Sequence, residues 1–225
     1  MNYIKQAIAI LGITSVMSGI PAVVHAQTPQ TPIKEVTFQE YYKQGVQKLG
    51  QGNFSAAIAD FDRVVMLNPR FYEGFCLRGM AKSGLGDFQT AMADFNQALR
   101  LNPNHADAYN SRGTVSAELG DIEKAIADFN QTLKIDPKFV DAYYNRGLAY
   151  FKQRNPQAAI ADFNQALKIN PNLADAYANR GLSQYALGDK RTAVADLQQA
   201  ARLFRQQGNT QGYQQTQVLI QQVQQ

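Results

Sequence analysis

Apolar residues recur along most of this chain with the period of about 3.6 residues that is typical of amphipathic helices. From Phe38 onward they form stripes over segments of about 12 to 14 residues. Short polar breaks separate these segments, and over most of the chain every second break contains a proline. The pattern predicts an all-α fold in which the helices come in pairs.

The helix pairs are copies of one 34-residue unit. Each copy but the last closes on a similar phrase, MLNP, RLNP, KIDP or KINP, whose prolines are Pro69, Pro103, Pro137 and Pro171. The phrase ADF or ADL recurs at the same interval in the second helix of all five copies. The predicted repeats occupy residues 38–71, 72–105, 106–139, 140–173 and 174–207.

The break inside each copy has the chemistry of a helix end followed by a helix start. A glycine that can adopt the left-handed conformation precedes an Asn or Asp, whose side chain can accept hydrogen bonds from the first amides of the next helix. The fourth copy has Arg154 and Asn155 instead, so we expect Arg154 to be strained by about 1 kcal/mol relative to glycine. The other copies have Gly52-Asn53, Gly86-Asp87, Gly120-Asp121 and Gly188-Asp189.

A second glycine recurs inside the first helix of each copy, where it costs about 0.5–1 kcal/mol relative to alanine. Close contact between the two helices would compensate for this cost, with a recurring alanine of the second helix as the small partner. The recurring aromatic residues would fill the layer between copies, which must stack because one copy cannot bury both faces. The glycines are Gly45, Gly79, Gly113, Gly147 and Gly181, and the alanines are Ala57, Ala91, Ala125, Ala159 and Ala193.

Residues 208–225 are predicted to form a capping helix. Tyr213, Thr216, Ile220 and Val223 fall on one face of this segment, among glutamines. This face would cover the apolar end of the fifth copy, as the terminal units of solenoids must.

The order of an early aromatic, a glycine, a later alanine, an aromatic, an alanine and a closing proline resembles the tetratricopeptide-repeat (TPR) family. The resemblance covers five copies, about three quarters of the chain. It implies a right-handed superhelical solenoid of five TPR helix pairs plus the C-terminal capping helix. The phrase Asn-Arg-Gly, which starts at Asn145 and Asn179, is similar to a variant of the family that is rich in it.

In TPR proteins the first helices line a concave groove that binds extended or helical peptides, and the resemblance implies the same use here. Helical spacing identifies the matching face. The predicted groove residues are Tyr42, Lys43, Leu77, Asn110, Tyr144, Asn145, Leu148, Phe151, Asn179, Leu182 and Tyr185. The same face also presents Glu73, Cys76, Met80, Asp107, Asp141 and Asp175.

Two features of this face bear on the ligand. Asn145 and Asn179 match the asparagine with which the family grips a peptide backbone, because an amide can donate and accept at once. The alternative is that both side chains are simply solvated. The lysine and asparagine clamp of the chaperone-tail-binding subclass is not recognisable, because Lys43 is followed by Leu77 and Met80.

Four ion pairs are predicted between neighbouring copies. An aspartate recurs in the second helix of every copy, and an arginine recurs in the first helix of copies two to five. Gln44 stands at the arginine's position in the first copy, which no earlier aspartate precedes. We therefore expect ion pairs that fix register rather than an active-site charge. The predicted pairs are Asp60 with Arg78, Asp94 with Arg112, Asp128 with Arg146, and Asp162 with Arg180.

The first 26 residues are predicted to be a secretory signal peptide. Lys5 precedes an uncharged stretch from Ala7 to Val24, and Val24-His25-Ala26 suits a signal peptidase. The alternative is a retained membrane anchor, although about 18 apolar residues is short for a bilayer span. Residues 27–37 would then form a flexible linker. These features predict export by the general secretory pathway to a periplasm, a thylakoid lumen or the extracellular space.

The remaining composition excludes several classes of function. The net charge of +4 comes from cations that stand singly or in pairs, whereas a nucleic-acid-binding surface needs clustered cations. Cys76 is the only cysteine, so it is either a redox-active thiol or a small hydrophobe, without an internal disulfide. His105 is the only histidine beyond the predicted signal peptide, which leaves no histidine-based triad or His/Cys metal cluster.

We therefore expect a non-catalytic scaffold that needs no cofactor and binds a protein or peptide segment in its groove. The alternative is a structural protein whose outer or terminal faces build a homo-oligomer while the groove stays empty. A molecular mass that rises with concentration would favour this alternative.

Overall fold

The computed structural model describes residues 37–225, and within that range all regular secondary structure is α-helical. The predicted signal peptide (residues 1–26) and all of the predicted linker except Thr37 lie outside the described residues. The eleven helices of this range are α1 (Phe38–Gly50), α2 (Phe54–Leu67), α3 (Tyr72–Gly84), α4 (Phe88–Leu101), α5 (Ala106–Glu118), α6 (Ile122–Ile135), α7 (Val140–Lys152), α8 (Pro156–Ile169), α9 (Ala174–Ala186), α10 (Lys190–Gln206) and α11 (Thr210–Gln224). None of them is both long and apolar enough to cross a lipid bilayer.

Five helix pairs stack in chain order. Each predicted 34-residue interval contains one pair, from α1 and α2 in the first to α9 and α10 in the fifth. The first helices of successive pairs approach one another more closely than the second helices do. The stack is therefore a solenoid that curves toward its first helices, which confirms the predicted fold class.

The turns inside the pairs have the predicted geometry. Gly86 has a φ of 79° after α3, and Asp87 then accepts a hydrogen bond from the backbone N–H of Thr90 at 3.3 Å. Arg154 adopts the same left-handed conformation, with a φ of 59°, in the fourth pair. Asn155 follows it and caps α8. The departure of the fourth copy from the glycine pattern thus leaves the turn unchanged, with the strain placed on Arg154.

The recurring glycine of the first helix lies against the second helix of the same pair. A Cβ atom placed on Gly147 would be 2.7 Å from Cε1 of Phe163, whose side chain is fully buried. In the fifth pair Leu197 replaces the phenylalanine, and the carbonyl oxygen of Ala193 is the nearest neighbour, at 3.0 Å from a Cβ on Gly181. The predicted close helix contact is present, but in the first four pairs an aromatic ring, rather than the alanine, is the nearest partner.

The same phenylalanines also fill the layer between neighbouring pairs, as the sequence predicts. Phe95 of α4 lies in one buried cluster with Ala108 and Val115 of α5. The rings of Phe61, Phe95 and Phe129 therefore each make two contacts, one inside their own pair and one with the next pair.

The last helix, α11, covers the open end of the fifth pair. Its Thr216, Ile220 and Val223 are buried, and Tyr213 is partly buried. Ile220 and Val223 pack in one apolar cluster with Leu197 of α10. This helix therefore caps the solenoid, as predicted.

Candidate functional site

The inner surface of the solenoid is formed by the first helices α1, α3, α5, α7 and α9, and we call it the groove. Three shallow pockets of about 190, 290 and 390 Å³ lie along it between α5 and α11. The smallest is lined mainly by α5 and α7, and the largest lies between α9 and α11. The middle one, which we call the Tyr144 pocket, is lined by Asp141, Tyr144, Asn145, Leu173, Asp175 and Ala176.

The predicted groove residues divide into three sets. Tyr42 and Leu77 pack beside the core of the first pair, and the Tyr42 ring lies edge-on to Phe71 with ring centroids 5.4 Å apart. The side chains that line the three pockets are Tyr144, Asn145, Leu148, Phe151, Asn179 and Leu182. The remaining three residues lie outside the pockets: Asn110 is half-buried, and Lys43 and Tyr185 are exposed. The pockets thus lie in the C-terminal half of the groove, and a binding role for all eleven residues stays a prediction.

Cys76 does not reach the groove, although the sequence places it on the groove face. Its side chain is 1% exposed and lies in a core cluster with Phe95 and Val115, because α3 turns this position toward α4 and α5. Burial, and then the Glu73 and Asp107 carboxylates, raise the pKa of the thiol well above its ordinary value. The thiol therefore stays protonated and acts as a small hydrophobe.

Two asparagines link neighbouring repeats across the groove. Nδ2 of Asn145 donates to Oδ1 of Asn110 at 3.3 Å and to a threonine hydroxyl of α5 at 3.4 Å. Nδ2 of Asn179 donates to Oη of Tyr144 at 3.2 Å and to the backbone carbonyl of Asp175 at 2.9 Å. Nδ2 of each asparagine, which carries two hydrogens, thus already has two acceptors within the protein. The two side chains therefore offer a ligand their Oδ1 acceptors.

Two acidic residues, Asp141 and Asp175, line the Tyr144 pocket. Burial, and then the charges of Asp175 and Asp141, raise the pKa of Tyr144 to about 12, so its phenol is neutral at neutral pH. Burial also raises the pKa of the Asp141 carboxyl. The described residues that line this pocket thus include two acidic side chains and a neutral phenol.

His105 joins the second and third repeats. Its ring is buried, Nδ1 accepts a hydrogen bond from the backbone N–H of Ala108 at 3.3 Å, and Nε2 lies 3.1 Å from Oε2 of Glu73. Because Nδ1 accepts, Nε2 carries the hydrogen and its N–H donates a hydrogen bond to the Glu73 carboxylate. In the part of the chain that the structure describes, no group of three or more His, Cys, Asp or Glu side chains is placed to hold a metal ion.

The recurring arginines and aspartates do pair, but within repeats rather than between them. Arg78 donates from Nε and Nη2 to the two carboxylate oxygens of Asp94, at 2.9 and 2.6 Å. Asp60, its predicted partner, instead forms an ion pair with Lys48 at 2.6 Å. The same bidentate geometry joins Arg112 with Asp128, Arg146 with Asp162, and Arg180 with Asp196. The predicted pairs of Asp60 with Arg78, Asp94 with Arg112, Asp128 with Arg146, and Asp162 with Arg180 are therefore wrong.

The glycine contact explains this register. Arg146 precedes Gly147, and Asp162 precedes Phe163. Docking the glycine onto the ring of its own repeat therefore brings the charged side chains together. The remaining nitrogen, Nη1, donates to Asn130 of the preceding repeat. The equivalent bonds join Arg78 to Asp62, Arg112 to Asn96, and Arg180 to Asn164.

Each arginine thus links two repeats through a partner that the sequence analysis missed. The signal was present, because an Asp or Asn directly follows the recurring phenylalanine in the first four copies. Sequence reasoning also missed the contribution of α11 to the groove. Asn209 before α11, together with Gln211 and Gln215 in it, lines the largest pocket, in addition to the capping role of this helix.

The fold and the groove define an all-helical repeat solenoid with an open inner surface. Family models described as "Tetratricopeptide repeat" match residues 140–173 and 174–207, and one described as "TPR repeat" matches residues 84–120 and 115–153. Together these ranges cover more than half of the chain. The chain belongs to the tetratricopeptide-repeat family.

Solved structures share this fold at low sequence identity. MamA 41-end from Desulfovibrio magneticus RS-1 is 24% identical over 76% of this chain and 96% of its own, with a TM-score of 0.67. TTC0263, a thermophilic TPR protein of Thermus thermophilus, is 19% identical over 83% of this chain and 98% of its own, with a TM-score of 0.67. YrrB, described as "a TPR protein with an unusual peptide-binding site", is 17% identical over 82% of this chain and 93% of its own, with a TM-score of 0.62. No curated protein matches the sequence of this chain.

Proposed function

We propose that this chain is an exported, non-catalytic scaffold that binds a peptide or protein segment in its groove. The observation that carries the proposal is the run of three pockets along the inner surface. Neighbouring pockets share a wall residue, Asn145 for the first two and Asp175 for the second two. One extended or helical segment can therefore occupy all three.

The chemistry of the pockets suits a polypeptide. Leu148, Phe151 and Leu182 offer apolar contact area for side chains, and the Oδ1 atoms of Asn145 and Asn179 can accept hydrogen bonds from backbone N–H groups. Sites of this kind, with many apolar contacts and a few oriented polar groups, are typical of specific binding clefts. The description of YrrB as a TPR protein with a peptide-binding site supports this use of the fold.

Export is the second part of the proposal, and the sequence of the first 26 residues supports it. The mature protein would begin at Gln27 and act in a periplasm, a thylakoid lumen or the extracellular space. The intact mass of the protein recovered from its native host tests this point. Loss of residues 1–26 is the expected result, whereas a full-length mass in the membrane fraction would favour a retained anchor.

Site-specific photo-crosslinking tests groove binding. A benzophenone side chain replaces Phe151 or Tyr185 in the groove, and in a control protein it replaces Met66, which is 58% exposed on the second helix α2. We expect partners that crosslink from the two groove positions and not from the Met66 position. The triple variant Y144A/N145A/N179A, with unchanged helicity, should lose these crosslinks.

The same experiment distinguishes the structural alternative. Crosslinks to other copies of this chain alone, together with a mass that rises with concentration in light scattering, would favour a homo-oligomer with an empty groove. Identical partners from the groove positions and from Met66 would contradict groove binding.

A further inference from the structure

We propose that the first repeat carries a binding site for a guanidinium group, the side chain of an arginine on another polypeptide. Asp60 of α2 and Tyr41 of α1 form this site, which we call the Asp60 site. It lies at the N-terminal end of the solenoid, whereas the three pockets of the groove lie between α5 and α11. The inference therefore goes beyond the proposed function, and either can fail without the other.

The other four repeats show what the recurring aspartate and the recurring aromatic residue hold. In each of them the aspartate of the second helix accepts hydrogen bonds from Nε and Nη2 of the arginine in the first helix. The guanidinium carbon also lies between 5.2 and 5.7 Å from the centre of an aromatic ring. A carboxylate that accepts both bonds and a ring beside it are contacts that favour a guanidinium. The rings are those of Phe75, Tyr109, Tyr143 and Tyr177.

The first repeat keeps the aspartate and the ring but has no arginine. Asp60 and Tyr41 occupy the aspartate and aromatic positions of the 34-residue unit, whereas Gln44 occupies the arginine position. Residues 1–37 contain no arginine either. The Gln44 side chain is exposed, so it can move aside for a ligand that approaches from the surface.

Asp60 is buried without the hydrogen bonds that its counterparts receive. The residue is 6% exposed, and its Oδ2 accepts no well-aligned hydrogen bond, although Nζ of Lys48 lies 2.6 Å away as an ion-pair partner. A buried carboxylate is costly unless it is both paired and hydrogen-bonded. The guanidinium fork can donate to both carboxylate oxygens at once, whereas the ammonium group is a single point charge. The Asp60 carboxylate therefore still offers acceptors to a ligand.

Lys48 does not take the place of the arginine. Lys82 occupies the same position in the second repeat, and its Nζ lies 2.8 Å from Oδ2 of Asp94. Asp94 nevertheless accepts both hydrogen bonds from Arg78, at 2.9 and 2.6 Å. One carboxylate at this position of the repeat thus holds a lysine and a guanidinium at the same time. Asp60 with Lys48 is therefore the arrangement of the second repeat without its guanidinium.

Other ligand groups fit the Asp60 site less well. A second lysine would only repeat the single-point contact that Lys48 already makes. The Asp60 carboxylate would repel an anionic group, and an apolar group would remove water from it without supplying a partner. The ring of Tyr41, which packs beside the core cluster of the first repeat, favours a planar cation over an ammonium group.

A nuclear magnetic resonance titration tests the inference. The probe is N-acetyl-arginine amide, the control ligand is N-acetyl-lysine amide, and the nitrogen-15-labelled protein is expressed from its full sequence. We expect saturable shifts of backbone amides in α1 and α2, with a Kd of about 1 mM for the arginine compound. The lysine compound should bind at least about fivefold more weakly, because it cannot form the fork.

Three variants localise the contact. Gln44→Arg supplies the missing arginine from the chain itself, and we expect it to abolish binding of the arginine compound and to raise the denaturant midpoint of unfolding. Gln39→Arg is the matched control, because it adds the same side chain to an exposed position on another face of α1. This control should change neither quantity. Asp60→Asn should also abolish binding, and it serves as the test should Gln44→Arg lose helicity.

The outcomes are distinct from those of the groove experiments. Absence of saturable shifts in α1 and α2, or equal affinities for the two compounds, would overturn the inference. Binding that persists in folded Gln44→Arg or in Asp60→Asn would have the same meaning. None of these results bears on crosslinking from Phe151 and Tyr185, so a failure here leaves groove binding standing.

Light scattering identifies the source of the arginine once the site is established. A mass above that of one chain for the unaltered protein, which falls to that of one chain in Gln44→Arg but not in Gln39→Arg, assigns the arginine to a second copy. A mass of one chain for all three proteins assigns it to a different protein.

Discussion

The partner of Arg146 can be decided by a pair of double-mutant cycles. In the structure Arg146 donates to both carboxylate oxygens of Asp162 at 2.7 Å, and its side chain is 19% exposed while that of Asp162 is 7% exposed. Hydrogen bonding to Asp162 raises the pKa of the guanidinium, although burial opposes this. The pair is therefore charged, bidentate and partly desolvated, which is the geometry in which ion pairs matter most.

The expected magnitude follows from these contacts. Removing one partner of a fully buried pair costs about 3–5 kcal/mol, and a hydrogen bond to a charged group contributes about 1.5–3 kcal/mol. Arg146 keeps its bond to Asn130 and some exposure, so we expect the lower end, about 2–3 kcal/mol, for Arg146→Met or Asp162→Asn. The double variant should lose about as much as one single variant, which gives a coupling of about 2 kcal/mol.

Asp128 provides the matched control. It has the same environment one repeat earlier and pairs with Arg112 instead. Asp128→Asn should therefore destabilise the protein as well, but its effect should add to that of Arg146→Met within about 0.5 kcal/mol.

Guanidinium chloride unfolding, followed by far-UV circular dichroism, gives the free energy of unfolding for each variant. A solenoid can unfold from one end, which would change how steeply the free energy of unfolding falls with denaturant concentration. Variants are therefore compared only where this slope is unchanged. Strong coupling of Arg146 to Asp128, with additivity between Arg146 and Asp162, would refute pairing within the repeat.

Three further predictions concern the core and the groove. Gly147→Ala should lower the free energy of unfolding by about 1–2 kcal/mol in denaturant titrations, because overpacking against Phe163 outweighs the gain in helix propensity. Cys76 should react with a thiol reagent only as fast as the protein opens, since the thiol is buried and its pKa is raised. Asp141→Asn should gain stability relative to the unaltered protein as pH rises. Burial raises the folded-state pKa of Asp141, so its charge costs stability above the unfolded pKa of about 3.9 and nothing well below it.

Each of these predictions has a control. Phe163→Leu, which copies the fifth repeat, should recover part of the loss in Gly147→Ala, and no loss in Gly147→Ala would mean that the ring moves aside. Hydrogen exchange measures the rate at which the protein opens around Cys76. Labelling of the Cys76 thiol at a faster rate than this opening would contradict its burial. A stability difference for Asp141→Asn that is the same at pH 3 and pH 7 would contradict its raised pKa.

The features of this protein that depend on local chemistry could be predicted from the order of its amino acids. The 34-residue period, the helix pairs and the capping helix follow from the spacing of apolar residues. The left-handed Arg154 followed from its place in a turn where other copies have glycine. These features involve residues close together in the chain, so their patterns can be recognised without knowing how the copies pack.

Which recurring aspartate pairs with which recurring arginine depends on how the copies pack in three dimensions. Arg146 could pair with Asp128 of the preceding copy or with Asp162 of its own copy. Both aspartates occupy the same position of the repeat, so the sequence pattern does not distinguish the two pairings. Docking of Gly147 on the Phe163 ring selects the second. The burial of Cys76 had the same origin, because helical spacing places it at the edge of the groove face and the packing of α3 against its neighbours turns it inward.

The Tyr144 pocket likewise depends on the packing of the helices. Asp141 and Tyr144 lie a full repeat before Asp175 in the chain, and the three share a pocket because α7 and α9 stand side by side. The sequence identified the groove face by helical spacing, but not which of its amides were already engaged. That depended on hydrogen bonds between repeats, whose distances are set by the close packing of the whole stack.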